Sequence, residues 1–209
     1  MPEKIDILNT MIVACDIETT GLDPDNNQIL ELGAAIWDIS KPLNLETIPQ
    51  INYVVKHDVY IGSPFALQLN QRIFKVLAFD NGSDEYQEIY NIISSDWLMA
   101  SFKEWLSDHG VDTTKHIVFA GKNFGAFDLQ FIKKLNYDLL KISHRFIDPG
   151  NLYWCPAIDG SKLPDLNTCL KRAGVNRHIT HKAVDDAKDV LTVINARIDM
   201  LNGWNSELK

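Results

Sequence analysis

The chain has 209 residues, of which 45% are hydrophobic and 23% are charged, and its formal net charge is -8 at pH 7. This length and composition are typical of one globular domain with a full core, and no apolar stretch is long enough to span a membrane. The acidic balance argues against a broad basic surface for duplex nucleic acid, although bound metal ions can supply positive charge where a phosphate binds. We therefore expect a single domain over residues 1–209.

Cysteine usage and the first residues bear on the compartment. Cys15, Cys155 and Cys169 are far apart and odd in number, so free thiols in a reducing compartment are the simplest interpretation. Clustered Cys/His spacing for zinc is absent. Residues 1–6 show no signal-peptide pattern. We expect a cytoplasmic protein.

The first part of the chain predicts three strands joined by short turns. An uninterrupted apolar run opens the strand over 11–16, which is typical of a strand that is covered on both faces and central in a sheet. Turn-forming residues at 23–27 and 41–44 separate it from strands predicted over 28–38 and 50–56.

Helices and strands alternate in the rest of the chain, with a loop predicted over 80–85. The spacing of apolar residues predicts helices over 64–79, 95–108, about 125–135, 162–173 and 183–201, and strands over 116–120 and 145–148. These elements predict an α/β fold with a mixed five-stranded sheet flanked by helices, in which three antiparallel-type strands precede parallel ones. The sequence assigns no role to 57–100.

Two carboxylates close the first predicted strand. Side chains two residues apart on a strand point the same way, so Asp16 and Glu18 project together at its exit. Two anions held so close repel each other, and a bound divalent cation relieves this repulsion. An Asp-X-Glu at a strand end is by itself usually a solvated turn.

Two later segments supply further acidic and basic groups. Asp128 begins a predicted helix after the fourth strand, and His181 precedes the last helix. At about 100° per residue the last helix has one apolar stripe, and Asp186 lies about 70° from its centre. Asp185 points nearly opposite and Asp189 to the outer side, so we expect Asp186 to meet the first strand. The stripe consists of Ala183, Ala187, Val190, Leu191, Ile194, Ile198 and Leu201.

In combination, these segments resemble the DEDDh group of 3′→5′ exonucleases of the ribonuclease-H-like superfamily. Relatives in that group are the proofreading subunit of bacterial replicative polymerase, ribonuclease T and oligoribonuclease. Residues 16–22 are similar to the first motif of the group, 123–128 to the second, and His181 with Asp186 to the third. Several motifs in the expected order are far more specific than any one of them.

The resemblance implies a ribonuclease-H-like fold over about 10–201 and a metal-dependent exonuclease. All-carboxylate ligation suits two Mg²⁺ or Mn²⁺ ions and disfavours zinc. The implied general base is His181, because an imidazole can accept a proton near neutral pH. The implied substrate is a single strand with a free 3′ end, which releases nucleoside 5′-monophosphates. The implied metal ligands are Asp16, Glu18, Asp128 and Asp186.

Substrate contacts are expected around the first two motifs. Leu22 is a candidate apolar wedge against the terminal base, whereas Phe124 and Phe127 either stack on bases or pack in the core, as such residues more often do. The full set is Thr19, Gly21, Leu22, Asn123, Phe124 and Phe127. A locally basic set either contacts phosphates, as we expect, or forms a solvated surface: Lys162, Lys171, Arg172, Arg177, His178 and Lys182.

Substrate preference stays open at this stage. We slightly favour DNA over RNA. The alternatives are oligoribonuclease-like degradation of short RNA and, less favoured because no carboxylate is missing, a non-catalytic nucleic-acid-binding module. No membrane association is expected, and no obvious polymerase-tethering tail follows the last predicted helix. The oligomeric state is not readable from the sequence.

Overall fold

The computed structural model describes residues 11–80, 82–135 and 137–207. The N-terminal segment that lacks a signal-peptide pattern lies outside these residues. Within the described part of the chain, no helix has both the length and the apolar character that crossing a membrane requires. All three cysteines are free, as expected, and Cys15 and Cys169 are buried.

The predicted α/β architecture with a mixed five-stranded sheet is confirmed. The strand order is β4-β3-β2-β1-β5, in which β2 is antiparallel to both neighbours, β4 is parallel to β3, and β5 is parallel to β1. The strands are β1 (Met11–Thr19), β2 (Ile29–Asp38), β3 (Gln50–Lys56), β4 (Ile92–Ser94) and β5 (Phe119–Ala120).

One of the predicted strands is wrong and one strand was missed. Residues 145–148 form only an isolated parallel bridge between Ile147 and Ala120, because Pro149 begins a helix there. The missed strand, β4, has three residues at the sheet edge, too few to show the alternation that identifies a strand. The predicted fourth strand keeps only its last two residues as β5.

Within the described part of the chain, every predicted helix is present. The one over 95–108 keeps its predicted ends, the others have moved ends or are divided, and three short helices, over 84–90, 149–153 and 156–159, were not predicted. The one predicted over 64–79 is divided at Asn70, and the predicted loop over 80–85 contains the start of α3. The helices are α1 (Pro64–Leu69), α2 (Gln71–Ala78), α3 (Asp84–Tyr90), α4 (Ser95–Asp108), α5 (Asp128–Ile132), α6 (Pro149–Tyr153), α7 (Pro156–Asp159), α8 (Leu166–Arg172) and α9 (Ala183–Glu207), with a 3₁₀ turn at Tyr137–Leu139.

Helices cover both faces of β1. Val13, Cys15 and Ile17 pack in a core with α4 and α5, whereas Ile12 and Ala14 pack on the opposite face with α8 and α9. Because side chains alternate along a strand, the even-numbered Asp16 and Glu18 belong to the α9 face.

Candidate metal and catalytic site

The site begins at the exit of β1. Asp16 lies opposite Gly33 of β2, and Glu18 lies opposite Glu31. Glu18 is 9% exposed, and Asp16 is half-buried. The β1–β2 register shifts directly after Glu18, so regular pairing ends where the carboxylates stand. Two acids are therefore held side by side where the strand leaves the sheet.

The close approach of α9 to β2 brings Asp186 to these carboxylates. A Cβ atom at Gly33 would lie 2.0 Å from the Val184 nitrogen, so the first turn of α9 rests directly on this glycine. Asp186 is buried, and its Oδ1 accepts a hydrogen bond from the Thr180 amide at 3.3 Å. The first turn of the helix thus points one acid at the strand exit.

The rival aspartates of α9 are occupied elsewhere. Asp185 is half-buried and pairs with Lys188 at 3.2 Å, as its outward position predicts. Asp189 was expected on the outer side, but it is buried and pairs with Arg177. The chain before α9 covers this part of the helix, which a helical-wheel argument does not include.

His181 completes a group that could hold a cation. Ligand atoms of Glu18, His181 and Asp186 all lie within 4.8 Å of one another. His181 is exposed, and its backbone φ of 53° is in the left-handed region that non-glycine residues rarely adopt. The imidazole therefore stands at the solvent side of the acidic group.

Asp128 reaches the same strand from α5. It is the first residue of that helix, it is buried, and its Oδ1 accepts a hydrogen bond from the Ile17 amide at 3.1 Å. Ile17 is the residue between Asp16 and Glu18, so this bond ties the second motif to the first. The group of ligand atoms within 4.8 Å does not include Asp16 or Asp128, although Asp16 is near enough to Asp128, Asp186 and Glu18 to be repelled by their charges.

The pKa values of the acids are all shifted in one direction. Burial raises the pKa of Asp16 well above its usual range, and repulsion from Asp128, Asp186 and Glu18 raises it further. Burial likewise raises the pKa of Asp128.

Two members of the group have pKa values near neutrality. Burial, with repulsion from Glu31 and Asp186, raises the pKa of Glu18 to about 7, although Arg72 and a hydrogen bond from Asn70 act against this. Burial raises the pKa of Asp186 to about 6. A bound cation would relieve the repulsion between these buried carboxylates and displace their protons. Carboxylate oxygens are ligands that suit Mg²⁺ or Mn²⁺. Two carboxylates and an imidazole can hold a divalent cation, but this donor set does not by itself select Mg²⁺ or Mn²⁺.

Three residues at the site were missed by sequence analysis. Glu31 is fully buried, Arg72 makes a two-pronged ion pair with it, and the Asn70 side chain donates to the Thr19 carbonyl at 3.1 Å. A glutamate inside an otherwise apolar strand was the available signal, because a buried charge requires a partner. Nothing in the sequence named that partner, which comes from the uninterpreted segment 57–100.

The residues of the first motif that follow the two carboxylates have different roles. The Thr19 hydroxyl donates to the Gly21 carbonyl at 2.6 Å, and a Cβ at Gly21 would lie 2.3 Å from Asn27 Oδ1. Both residues therefore shape the turn. Leu22 is 84% exposed, as a wedge against a base has to be.

The second motif leaves fewer side chains free for substrate contact than expected. Phe124 is buried and stacks on Phe119 with ring centroids 5.0 Å apart, so base stacking by Phe124 is wrong and its role is in the core. Phe127 is half-buried against Phe131. Asn123 is exposed and has a φ of 60°. Its backbone N–H donates a hydrogen bond to Asp148 Oδ2 at 3.0 Å.

The basic set is partly neutralised. Arg172 makes two hydrogen bonds of 2.7 Å to Asp159, and Arg177 pairs with Asp189. The donors of Arg172 are therefore committed within the protein, whereas Arg177 keeps an exposed side chain. The other members are exposed: Lys162, Lys171, His178 and Lys182.

Comparison of the sequence with protein-family models and with curated proteins gave no match. The side chains of the site are therefore the basis for assigning its chemistry.

Proposed function

We propose that this chain is a metal-dependent 3′→5′ exonuclease that hydrolyses the terminal phosphodiester of single-stranded nucleic acid, with DNA favoured over RNA, and releases nucleoside 5′-monophosphates. The observation that carries the proposal is the convergence of acids and an imidazole at the exit of β1. They come from three distant segments: Asp16 and Glu18, Asp128, and His181 with Asp186.

The carboxylates would hold Mg²⁺ or Mn²⁺. Ligand atoms of Glu18 and Asp186 lie within 4.8 Å of each other, and the charges of both acids and of Asp128 repel that of Asp16. Two such ions, when bound, would supply a nucleophilic water and positive charge next to the leaving 3′ oxygen. Their charge also lets a phosphate approach an acidic protein.

His181 is suited to take the proton from the attacking water. It stands next to Glu18 and Asp186, and its exposure lets it pass that proton to bulk solvent. Leu22, at the same strand exit, would pack against the terminal base. The pairing of Arg172 and Arg177 with aspartates leaves less cationic surface for a long strand, which supports action at short or frayed ends.

The test is nucleotide release from single strands labelled at the 3′ or the 5′ end, as DNA and as RNA of several lengths, with Mn²⁺, Mg²⁺ or a chelator. We expect monophosphates from the 3′ end only when metal is present. Asp16→Ala and His181→Ala should each slow release by about 100-fold or more, since even outer partners of metal ligands cost about 10–100-fold. His116→Ala is the control, because His116 is exposed and precedes β5 at the opposite end of the sheet.

Equal release by wild type and Asp16→Ala would contradict the proposal. Strand binding without turnover under either metal would favour a binding module instead. Turnover confined to very short RNA would favour an oligoribonuclease-like enzyme.

A further inference from the structure

An ion pair between a buried glutamate and a half-buried arginine adjoins the candidate site. The Glu31 carboxylate in β2 accepts two hydrogen bonds from Arg72 of α2, at 2.8 and 2.7 Å, and one from the Asn52 side chain at 2.8 Å. A fourth comes from the Ala183 amide at the start of α9, at 3.1 Å. Glu31 lies opposite Glu18 across the strands, so this pair adjoins the acids of the site.

The same pair holds the backbone on both sides of Lys182. Arg72 Nη2 donates to the His181 carbonyl at 3.3 Å, and Glu31 Oε2 accepts from the Ala183 amide. The left-handed backbone of His181 is unfavourable for a residue with a side chain, so it persists only where its surroundings hold it. Arg72 and Glu31 supply such contacts.

The element that carries Arg72 is itself tied to the strand exit. Asn70, which separates α1 from α2, donates to the Thr19 carbonyl, and the Ser63 amide donates to the Thr20 carbonyl at 2.9 Å. Arg72 therefore reaches the His181 carbonyl from an element fixed to β1. The base and the acids are positioned against a common frame.

We infer that Arg72, with Glu31, is a positioning residue for His181: it fixes the backbone from which the imidazole projects towards Glu18 and Asp186. The inference rests on the proposed function for its kinetic consequences, but not for its structural ones. A lysine at this position keeps the charge but carries all its donors on one nitrogen, whereas the two nitrogens of the arginine fork bond separate carboxylate oxygens and one of them also reaches the His181 carbonyl.

The variant is Arg72→Lys, and we expect kcat to fall about 10–100-fold while KM and the dissociation constant for Mn²⁺ stay within about twofold. Hydrogen exchange of the Ala183 amide should accelerate, because its acceptor becomes less ordered. The matched control is Arg172→Lys. Arg172 makes the same pattern, two bonds to Asp159 and one to the Tyr153 carbonyl, outside the site, so its loss should leave kcat and Ala183 exchange unchanged.

A double-mutant cycle separates positioning from general support of the fold. In the His181→Ala background, Arg72→Lys should have little further effect on kcat, since the imidazole that it positions is absent. An equal loss of kcat in both backgrounds would overturn the inference, as would an unchanged kcat and unchanged Ala183 exchange in Arg72→Lys. If Arg72→Lys does not fold, the cycle is repeated with Arg72→Met and Glu31→Met together, which removes both charges.

The outcome can be told apart from failure of the proposed function. A wild-type protein without nuclease activity would contradict that function, yet hydrogen exchange of the Ala183 amide would still report whether Arg72 and Glu31 hold the backbone at His181. If the wild type is active and Arg72→Lys leaves kcat and Ala183 exchange unchanged, only the positioning role is contradicted.

Discussion

Asp186 is held in a place where its charge is unfavourable. It is buried, and its pKa is raised to about 6 by burial and, more weakly, by neighbouring Asp189 and Asp185. A carboxylate in such surroundings weakens the folded state unless a cation accompanies it. A buried, repelled carboxylate at this position makes sense for a metal ligand, whereas a purely structural residue with this charge would only lower the stability of the fold.

Neutralising this acid should separate stability from activity. We expect Asp186→Asn to raise the midpoint of thermal unfolding in chelator by a few degrees, because the amide removes repulsion and its oxygen can still accept from the Thr180 amide. The same variant should abolish the Mn²⁺-dependent rise in that midpoint and the nucleotide release. Scanning calorimetry with and without Mn²⁺ measures both effects.

The control for this variant is its sequence neighbour. Asp185→Asn removes an ion pair with Lys188, which is worth little at a surface, so its unfolding midpoint and metal response should match those of wild type. A lower midpoint for Asp186→Asn in chelator would contradict the electrostatic account.

Helix α9 acts as one element in delivering Asp186. Its position depends on the absence of a side chain at Gly33, where an added Cβ would meet the backbone of Ala183 and Val184. Backbone atoms cannot turn aside as a flexible side chain can, so the whole first turn of the helix would have to move. A methyl group in β2 would therefore displace an acid carried by α9.

This contact predicts that the Gly33→Ala variant is less stable than wild type and releases nucleotides more slowly. We expect its free energy of unfolding in urea to fall by about 3 kcal/mol, in the upper range for overpacking, and its Mn²⁺ affinity to weaken as Asp186 shifts. Gly203→Ala, in the same helix with open space around its Cβ, should instead raise the free energy of unfolding by up to about 1 kcal/mol. Unchanged metal affinity in Gly33→Ala would show that α9 is not held by this contact.

At the scale of elements, the sequence predicted those with strong periodicity and misjudged those whose boundaries depend on distant contacts. The long strands and α4 and α9 follow their apolar patterns closely. The division at Asn70 could not be predicted, because it depends on a hydrogen bond to Thr19, 51 positions away. The loss of a strand at 145–148 reflects a helix start at Pro149 that the pattern allowed equally well.

For the whole molecule, the raised pKa values of Glu18 and Asp186 make metal-free stability depend on pH. The folded chain binds these protons up to about pH 7 and about pH 6, whereas the unfolded chain releases them near its ordinary values of 4.5 and 3.8. Folding takes up protons between those limits, so the free energy of unfolding falls as the pH rises through that window.

We therefore expect the metal-free protein to be more stable at about pH 5 than at about pH 8, by on the order of 2 kcal/mol once solvent screening is allowed for. Urea unfolding in chelator across this range is the measurement. Mn²⁺ should raise stability more at the higher pH, because it no longer competes with protons. Greater metal-free stability at the higher pH would contradict the raised pKa values. Asp112 and Asp159, whose pKa values are lowered to about 2, stay ionised throughout.

The sequence by itself determined the α/β class, the strand that carries Asp16 and Glu18, and the helix face that selects Asp186 over Asp185, because each follows from a local period of side-chain direction. Only the tertiary structure decided that Phe124 belongs to the core, that Arg172 and Arg177 are paired with aspartates, and that Arg72 and Glu31 hold the backbone at His181. These are contacts between residues far apart in the chain, and no local pattern shows which partner a charged side chain or an aromatic ring will contact.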